Sequence, residues 1–324
     1  MFPRVSIVIP TYNRGSVLPR TIESALSQTF PDFELIVVDD GSTDHTTEVV
    51  RGIADPRVRL IGDTMNRGPS AARNRGIREA RCGLVAFLDS DDEWLPRKLE
   101  LQLARLDGDA DPRTAIAYCR VYTYDDLTQR PVHEFGEPRE GALFHDLLTG
   151  WKPVTASLFL VRRAALLEVG GFDETLPCTE DYDLWLRLAQ ASYRFVGVNE
   201  VLVVKHEGAG DQLSKDPMAK LRGHERMDRK WRATIIQHLG RKAYRRWRAR
   251  RGHFLQEVYF VRVREAARSG QRAAAWRWCL AMLKLLPWSR AYVLRAFAAA
   301  ILSPRAYEAV AHMRAALARR LLLS

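Results

Sequence analysis

Between Phe87 and Pro96 the sequence reads FLDSDDEWLP: a hydrophobic run ends in three aspartates, Asp89, Asp91 and Asp92, interrupted only by Ser90. Carboxylates crowded in this way repel one another and call for a counter-charge. A hard divalent cation, Mn²⁺ or Mg²⁺, supplies it, because such ions take one or two carboxylates together with phosphate oxygens of a substrate. The chemistry implied is that of a metal-bound, phosphorylated substrate. A second acidic pair, Glu180 and Asp181, heads the segment EDYDLWLRLA, in which Leu184, Trp185, Leu188 and Ala189 recur at helical spacing. Carboxylates are favoured at a helix N-terminus by its dipole, so this pair is either a helix stabiliser or a source of a general base.

Such groups need elements to position them. Residues 5–9, 35–38, 58–61 and 84–88 are short runs rich in Val, Ile and Leu, and the spacing between them predicts helices over 16–27, 46–53 and 70–80. Ser42, Thr43 and Asp44 are candidate caps of the second helix. Near-continuous apolar strands alternating with helices predict a parallel sheet covered on both faces. Ligands of such sheets bind beyond the carboxyl ends of the strands. Pro10, Thr11 and Tyr12, then Asp39 and Asp40, then Asn66 and Arg67, then Asp89 to Asp92 all stand where strands stop, so they converge on one crevice. Tyr12 offers a ring to stack a base, the carboxylates accept hydrogen bonds from base or ribose, and Arg73 and Arg75 offer charge to phosphate. A dinucleotide site is disfavoured because the first turn, PTYNRGS, lacks the spaced glycines. The same turn also lacks the glycine-rich, basic loop of a sugar nucleotidyltransferase.

The chain has 324 residues, 47% of them hydrophobic, enough for a sizeable core and about two domains. Its four cysteines, Cys82, Cys119, Cys178 and Cys279, lie far apart, which argues against a disulfide framework or a zinc site and fits a reducing cytoplasm. No signal peptide or spanning segment is evident. The net charge of +11 conceals two halves. From Arg222 onward there are 24 Lys+Arg against 5 Asp+Glu, whereas the residues before it hold 26 against 34. An acidic body therefore carries a basic appendage, joined near residues 208–222 through the linker-like GAGDQLSKDP.

Five blocks now stand in order: VSIVIPTYNR (5–14), FELIVVDDGSTDHT (33–46), NRGPSAARNRG (66–76), FLDSDDEWLP (87–96) and VGGFDETLPCTEDYDLWLRLA (169–189). Together they resemble the family 2 inverting glycosyltransferases with the GT-A fold, over about residues 3 to 214. The resemblance implies an α/β, Rossmann-like, mostly parallel sheet flanked by helices over 1–215, with a nucleotide-sugar half (1–95) and an acceptor half (96–215). A basic all-helical region, 216–324, follows. It also implies a UDP- or dTDP-type nucleotide-sugar donor, Mn²⁺ or Mg²⁺, and inverting transfer to a glycan or lipid-linked acceptor in polysaccharide or cell-envelope glycan synthesis.

On this resemblance Tyr12 and Asp40 hold the nucleobase, with Pro10 and Asp39 beside them, while Asn66 and Arg73 position the ribose and diphosphate. Asp91 ligates the metal, Asp89 reaches the ribose or the ion, and Asp92 opens the next helix. Asp181 is the base that deprotonates the acceptor hydroxyl, and Glu180 is its neighbour in acceptor or sugar binding. In VVKHEGAGDQLSK (203–215), His206 and Lys205 approach the diphosphate or the metal, and Ser214 sits on a loop that orders over the donor. Trp151 either stacks on an acceptor sugar or belongs to the core.

In the basic region Trp231, Trp247, Trp276, Trp278 and Trp288 alternate with Arg and Lys. That composition suits helices lying on an anionic membrane surface, which predicts a peripheral protein on the cytoplasmic face of the inner membrane. A helical bundle packed on the catalytic domain, or one mediating a homodimer, is the alternative. Nucleic acid bound through the Arg-rich stretch 241–251 leaves the acidic front half unexplained.

Overall fold

The computed structural model describes residues 3–126, 128, 130–134, 138–207 and 217–285. The chain divides into two compact units between Gln212 and Leu213. In the first, β1 (Val5–Thr11), β2 (Phe33–Asp39), β3 (Val58–Gly62) and β4 (Leu84–Phe87) alternate with α1 (Leu18–Leu26), α2 (Thr46–Arg51) and α3 (Pro69–Glu79). Strands β1, β2 and β4 are buried at every position, the environment that strands built mainly from apolar residues require. β2 pairs with β1 and β3, and β1 with β4, all in parallel.

The second half follows with β5 (Glu93–Trp94), α4 (Lys98–Asp107), β6 (Thr114–Asp125), β7 (Arg130–Glu134), α5 (Phe144–Thr149), β8 (Phe159–Arg162), α6 (Arg163–Glu168), α7 (Glu180–Gln190) and β9 (Arg194–Glu207). The strand order is β3-β2-β1-β4-β8-β6-β9-β5, with β7 on β6. β8 runs antiparallel to both β4 and β6, and β9 is parallel to β6. The parallel sheet expected from the first four strands thus becomes mixed beyond β4. The register of Thr11 with Asp39 and of Val8 with Phe87 brings the carboxyl ends of β1, β2 and β4 side by side, so Tyr12, Asp40 and Asp89 emerge at one edge.

Two packing features set the position of the later site. A column of rings runs from Trp151, edge-on to Tyr118 (5.5 Å), through Phe159 stacked on Tyr118 (5.5 Å), to Trp185 of α7 stacked on Phe159 (3.8 Å). These contacts fix α7 against the centre of the sheet. In turn, α3 lies so close to β1 that a Cβ at Gly76 would stand 2.3 Å from Val8 Cγ1.

The second unit is helical. α8 (Pro217–Arg268) is broken at Gly240, whose φ is 81°, and is followed by α9 (Arg272–Leu285). Leu221, Tyr259, Val263, Ala266, Ala275 and Cys279 form its core. Trp231 and Trp247 are buried, and Trp278 packs at 5.6 Å from Tyr259. Three of the tryptophans expected at a lipid surface therefore pack inward, because a small helical unit needs its large apolar side chains for its own core. Trp288 lies outside the described residues. Among those described, no helix is long and apolar enough to cross a membrane.

The close approach of α3 is directly testable. Gly76→Ala forces a methyl group against the stiff Val8 side chain and is expected to cost about 1–3 kcal/mol, read as a lower urea midpoint.

Candidate active site

The end of the crevice formed by β1 and β2 is held by its own carboxylates. Asp39 accepts hydrogen bonds from the Ser42 N–H (3.0 Å) and from the Thr47 hydroxyl (2.7 Å), closing the turn between β2 and α2. Asp40 accepts from the backbone N–H groups of Arg67 (2.9 Å) and Gly68 (2.7 Å), pinning the loop that leads into α3. Burial outweighs these two bonds and pushes the Asp40 carboxyl above its ordinary value. Gly41 sits at φ 78° with its Cα against the backbone of Met65 and Asn66, a place for glycine alone. Asn66 is exposed and accepts from the Gly68 N–H at 3.1 Å. Pro10 is buried within β1, and Tyr12 beyond it is 41% exposed, its ring available to a planar ligand.

The acidic turn after β4 is built differently. Asp89 Oδ1 accepts from Arg73 Nη2 at 2.6 Å, and its backbone N–H donates to Ser157 Oγ at 2.9 Å. Ser157 Oγ in turn donates to Asp92 Oδ2 at 2.6 Å. The Thr155 hydroxyl lies 2.9 Å from both Asp89 Oδ2 and Asp92 Oδ2 and donates its single proton to one of them. Asp92 is 2% exposed. Burial, reinforced by the charges of Asp89 and Asp91, pushes its carboxyl well above the ordinary value. Asp91 has no ion-pair partner among the described residues. Burial and the Asp89 charge raise it too, against the opposing fields of Arg14 and Lys205.

The second acidic pair reaches the same place. Arg73 Nη1 donates to Glu180 Oε1 at 3.0 Å while Nη2 holds Asp89, so one guanidinium joins the turn after β4 to the head of α7. Arg73 is only 6% exposed. Burial pulls its pKa down, but the charges of Asp89, Glu180 and Asp181 outweigh it and leave the pKa raised. Burial raises the Glu180 carboxyl, partly offset by Arg73. Asp181 Oδ1 accepts from the N–H of Tyr182 at 2.7 Å, which leaves its other oxygen for a proton. Thr179, just before the pair, has a φ of 64°, a costly conformation for a β-branched residue.

The model of glycosyl transferase family 2 matches residues 6–170, half of the chain. The chain belongs to glycosyl transferase family 2. A curated relative, the UDP-Glc:alpha-D-GlcNAc-diphosphoundecaprenol beta-1,3-glucosyltransferase WfaP of Escherichia coli, is 30% identical over 199 residues, 61% of this chain and 74% of that protein. Other curated relatives are matched over 63% or 38% of their own length, so the chain spans less than two thirds of them. Among solved structures, S. aureus TarS 1–349 in complex with UDP-GlcNAc superposes with a TM-score of 0.59 at 20% identity, covering 96% of this chain and 92% of that one. The mannosyltransferase PcManGT of Pyrobaculum calidifontis, in complex with GDP-Man and Mn²⁺, gives 0.56 at 22% identity over 98% and 81%. The fold is that of the GT-A glycosyltransferases.

Within this family member several expected roles shift. His206 is 7% exposed and both ring nitrogens are engaged, Nδ1 by Asp126 and Nε2 by Glu93, each at 2.7 Å, so neither is presented to a metal. Lys205 pairs with Glu207 at 2.8 Å, and Ser214 lies outside the described residues. Arg75 turns away to Asp63 and the Gly62 carbonyl. Asp92 opens no helix: β5 follows it, and its carboxyl is spent on Thr155 and Ser157. Trp151 is half-buried at the end of the ring column. Thr155 and Ser157 carried no sequence signal as supports of the donor turn, since their partners lie more than 60 residues away.

Because folded Asp92 binds its proton more tightly than the unfolded chain, its contribution to stability is complete below the unfolded value near 4 and is lost as pH rises through the folded one. Asp92→Asn cannot ionise. In EDTA, its melting temperature relative to wild type is expected to rise as the pH climbs above about 4, as followed by circular dichroism.

Proposed function

We propose that the protein transfers a sugar, with inversion, from a UDP- or dTDP-type nucleotide-sugar to a glycan or lipid-linked acceptor in cell-envelope glycan synthesis. The observation that carries the reading is Arg73 in contact with both Asp89 and Glu180: the carboxylates suited to a donor and the pair suited to a base share one crevice. Tyr12 and the turns held by Asp39 and Asp40 receive the nucleobase and ribose, with Pro10 beneath and Asn66 beside them. Asp181 takes the proton of the attacking acceptor hydroxyl on the face away from the leaving diphosphate. Trp151 and Glu180 border the acceptor.

A divalent ion fits the acidic turn. Among the described residues no three His, Cys, Asp or Glu side chains form a ready cage, but this type of site needs only one or two carboxylates plus phosphate. Asp91, half-buried beside Asp89 and without an ion pair among the described residues, has the charge deficit that a cation corrects. Asp91 would hold the ion with Asp89, and the bound ion would offset the negative charge of the leaving diphosphate.

Nucleotide release from a panel of UDP-, dTDP- and GDP-sugars with and without Mn²⁺ tests the reading. Asp181→Asn is expected to lower turnover about 10²- to 10⁴-fold with little change in nucleotide affinity, and Asp91→Asn to abolish the response to Mn²⁺. Full turnover by both variants would refute the assignment.

The second unit favours an anionic membrane surface as partner. Arg226, Arg229, Arg232, Arg241, Arg245 and Arg246 of α8 are all exposed, and cations of this density add about 1 kcal/mol each near anionic lipid. The full chain is expected to float with phosphatidylglycerol vesicles and not with phosphatidylcholine vesicles, and to be released by salt. Preferential release by duplex DNA would identify nucleic acid as the partner instead.

A further inference from the structure

Arg73 is expected, by resemblance, to meet the ribose and diphosphate, yet its surroundings give it another task. Both terminal nitrogens of the fork are occupied by carboxylates, and its plane lies 5.2 Å from the Phe172 ring. Its Nε is buried without a partner. A guanidinium so enclosed cannot swing out to a phosphate without breaking two ion pairs.

The segment it reaches needs outside support. α7 has no side-chain cap, and Thr179 at its N-cap is in the left-handed region with a buried hydroxyl that lacks a partner. Among the described residues Arg73 is the single ion-pair partner of Glu180. The next residue on α3 grips the approach to α7: Asn74 Nδ2 donates to the Phe172 carbonyl (2.9 Å) and Glu174 (2.8 Å), and its Oδ1 accepts from the Phe172 N–H (2.7 Å). That grip requires Gly171 at φ 67°, where a Cβ would stand 2.4 Å from Asn74 Oδ1.

We infer that Arg73 is a positioning residue, which sets Glu180 and the first turn of α7, with Asp181, against the donor-side carboxylate Asp89. The inference rests on the transfer reaction proposed above. Arg73 acts through its two carboxylates and touches no substrate. The two prongs of the fork fix distance and angle at once, which the single ammonium of a lysine cannot do.

Arg73→Gln, Arg73→Lys, Glu180→Gln and the double variant Arg73→Gln/Glu180→Gln test it, on whichever nucleotide-sugar the wild type turns over in the Mn²⁺ panel. Arg73→Gln is expected to lower kcat by about 30-fold with KM for the donor and UDP affinity within about 3-fold. Arg73→Lys, which tests the same point if Arg73→Gln folds poorly, retains an intermediate rate. The double variant is expected to be no slower than Arg73→Gln alone, as coupled residues require. Hydrogen exchange over residues 180–184 is expected to accelerate in Arg73→Gln, with β1 and β2 unchanged. A donor KM or UDP dissociation constant raised by about tenfold or more at constant kcat would make Arg73 a donor ligand and overturn the inference. So would unchanged exchange at 180–184. A wild type that turns over no nucleotide-sugar would refute the transfer reaction itself, while the exchange experiment would still decide whether Arg73 orders α7.

Discussion

Like charges forced together are the constraint around which this molecule is arranged. Asp89, Asp91, Asp92, Glu180 and Asp181 converge at the edge of one sheet, and each uncompensated carboxylate in a partly buried place costs free energy. The structure answers in two ways. Arg73 takes Asp89 and Glu180 in a two-pronged ion pair. Asp92 is buried under Thr155 and Ser157, which hydrogen-bond its carboxyl. Asp91 has neither arrangement among the described residues, and burial and the Asp89 charge raise its carboxyl.

The supports of this arrangement come from both halves of the sheet. Thr155 and Ser157, just before β8, hold the turn after β4, and Trp94 Nε1 donates to the Ser157 carbonyl at 3.0 Å. The stack of Trp151, Tyr118, Phe159 and Trp185 presses α7 toward the same point. Stability is given up locally to achieve this. Thr179 is strained, and Thr11 Oγ1 and Trp185 Nε1 are buried without partners, costs that concentrate where function needs fixed geometry rather than the best packing.

The first four strands were legible from sequence because period and composition are local: runs of Val, Ile and Leu flanked by helical spacing leave little choice of fold. β8 and β9 were not foreseen, since their pairing joins segments tens of residues apart and no local pattern states which edge they take. The acidic turn and the pair at 180–181 were also visible, as clustered carboxylates are a chemical signature in themselves. His206 shows the limit of such reading. Its residue type suited a metal, but Glu93 and Asp126 close on both ring nitrogens, and nothing near 206 in sequence announces them.

By itself, then, the sequence determined the residue types of the site, the strand-and-helix rhythm of the nucleotide half, and the basic character of the last third. These follow from composition and short-range spacing. Only the tertiary structure decided the surroundings of each acid: Asp89 and Glu180 are paired with Arg73, Asp92 is buried under Thr155 and Ser157, and Asp91 has no ion pair among the described residues. That choice depends on burial and on partners brought from distant segments, such as Arg73 to Glu180 across 107 residues, because the free energy of a charge is set by its surroundings in space rather than by its neighbours along the chain.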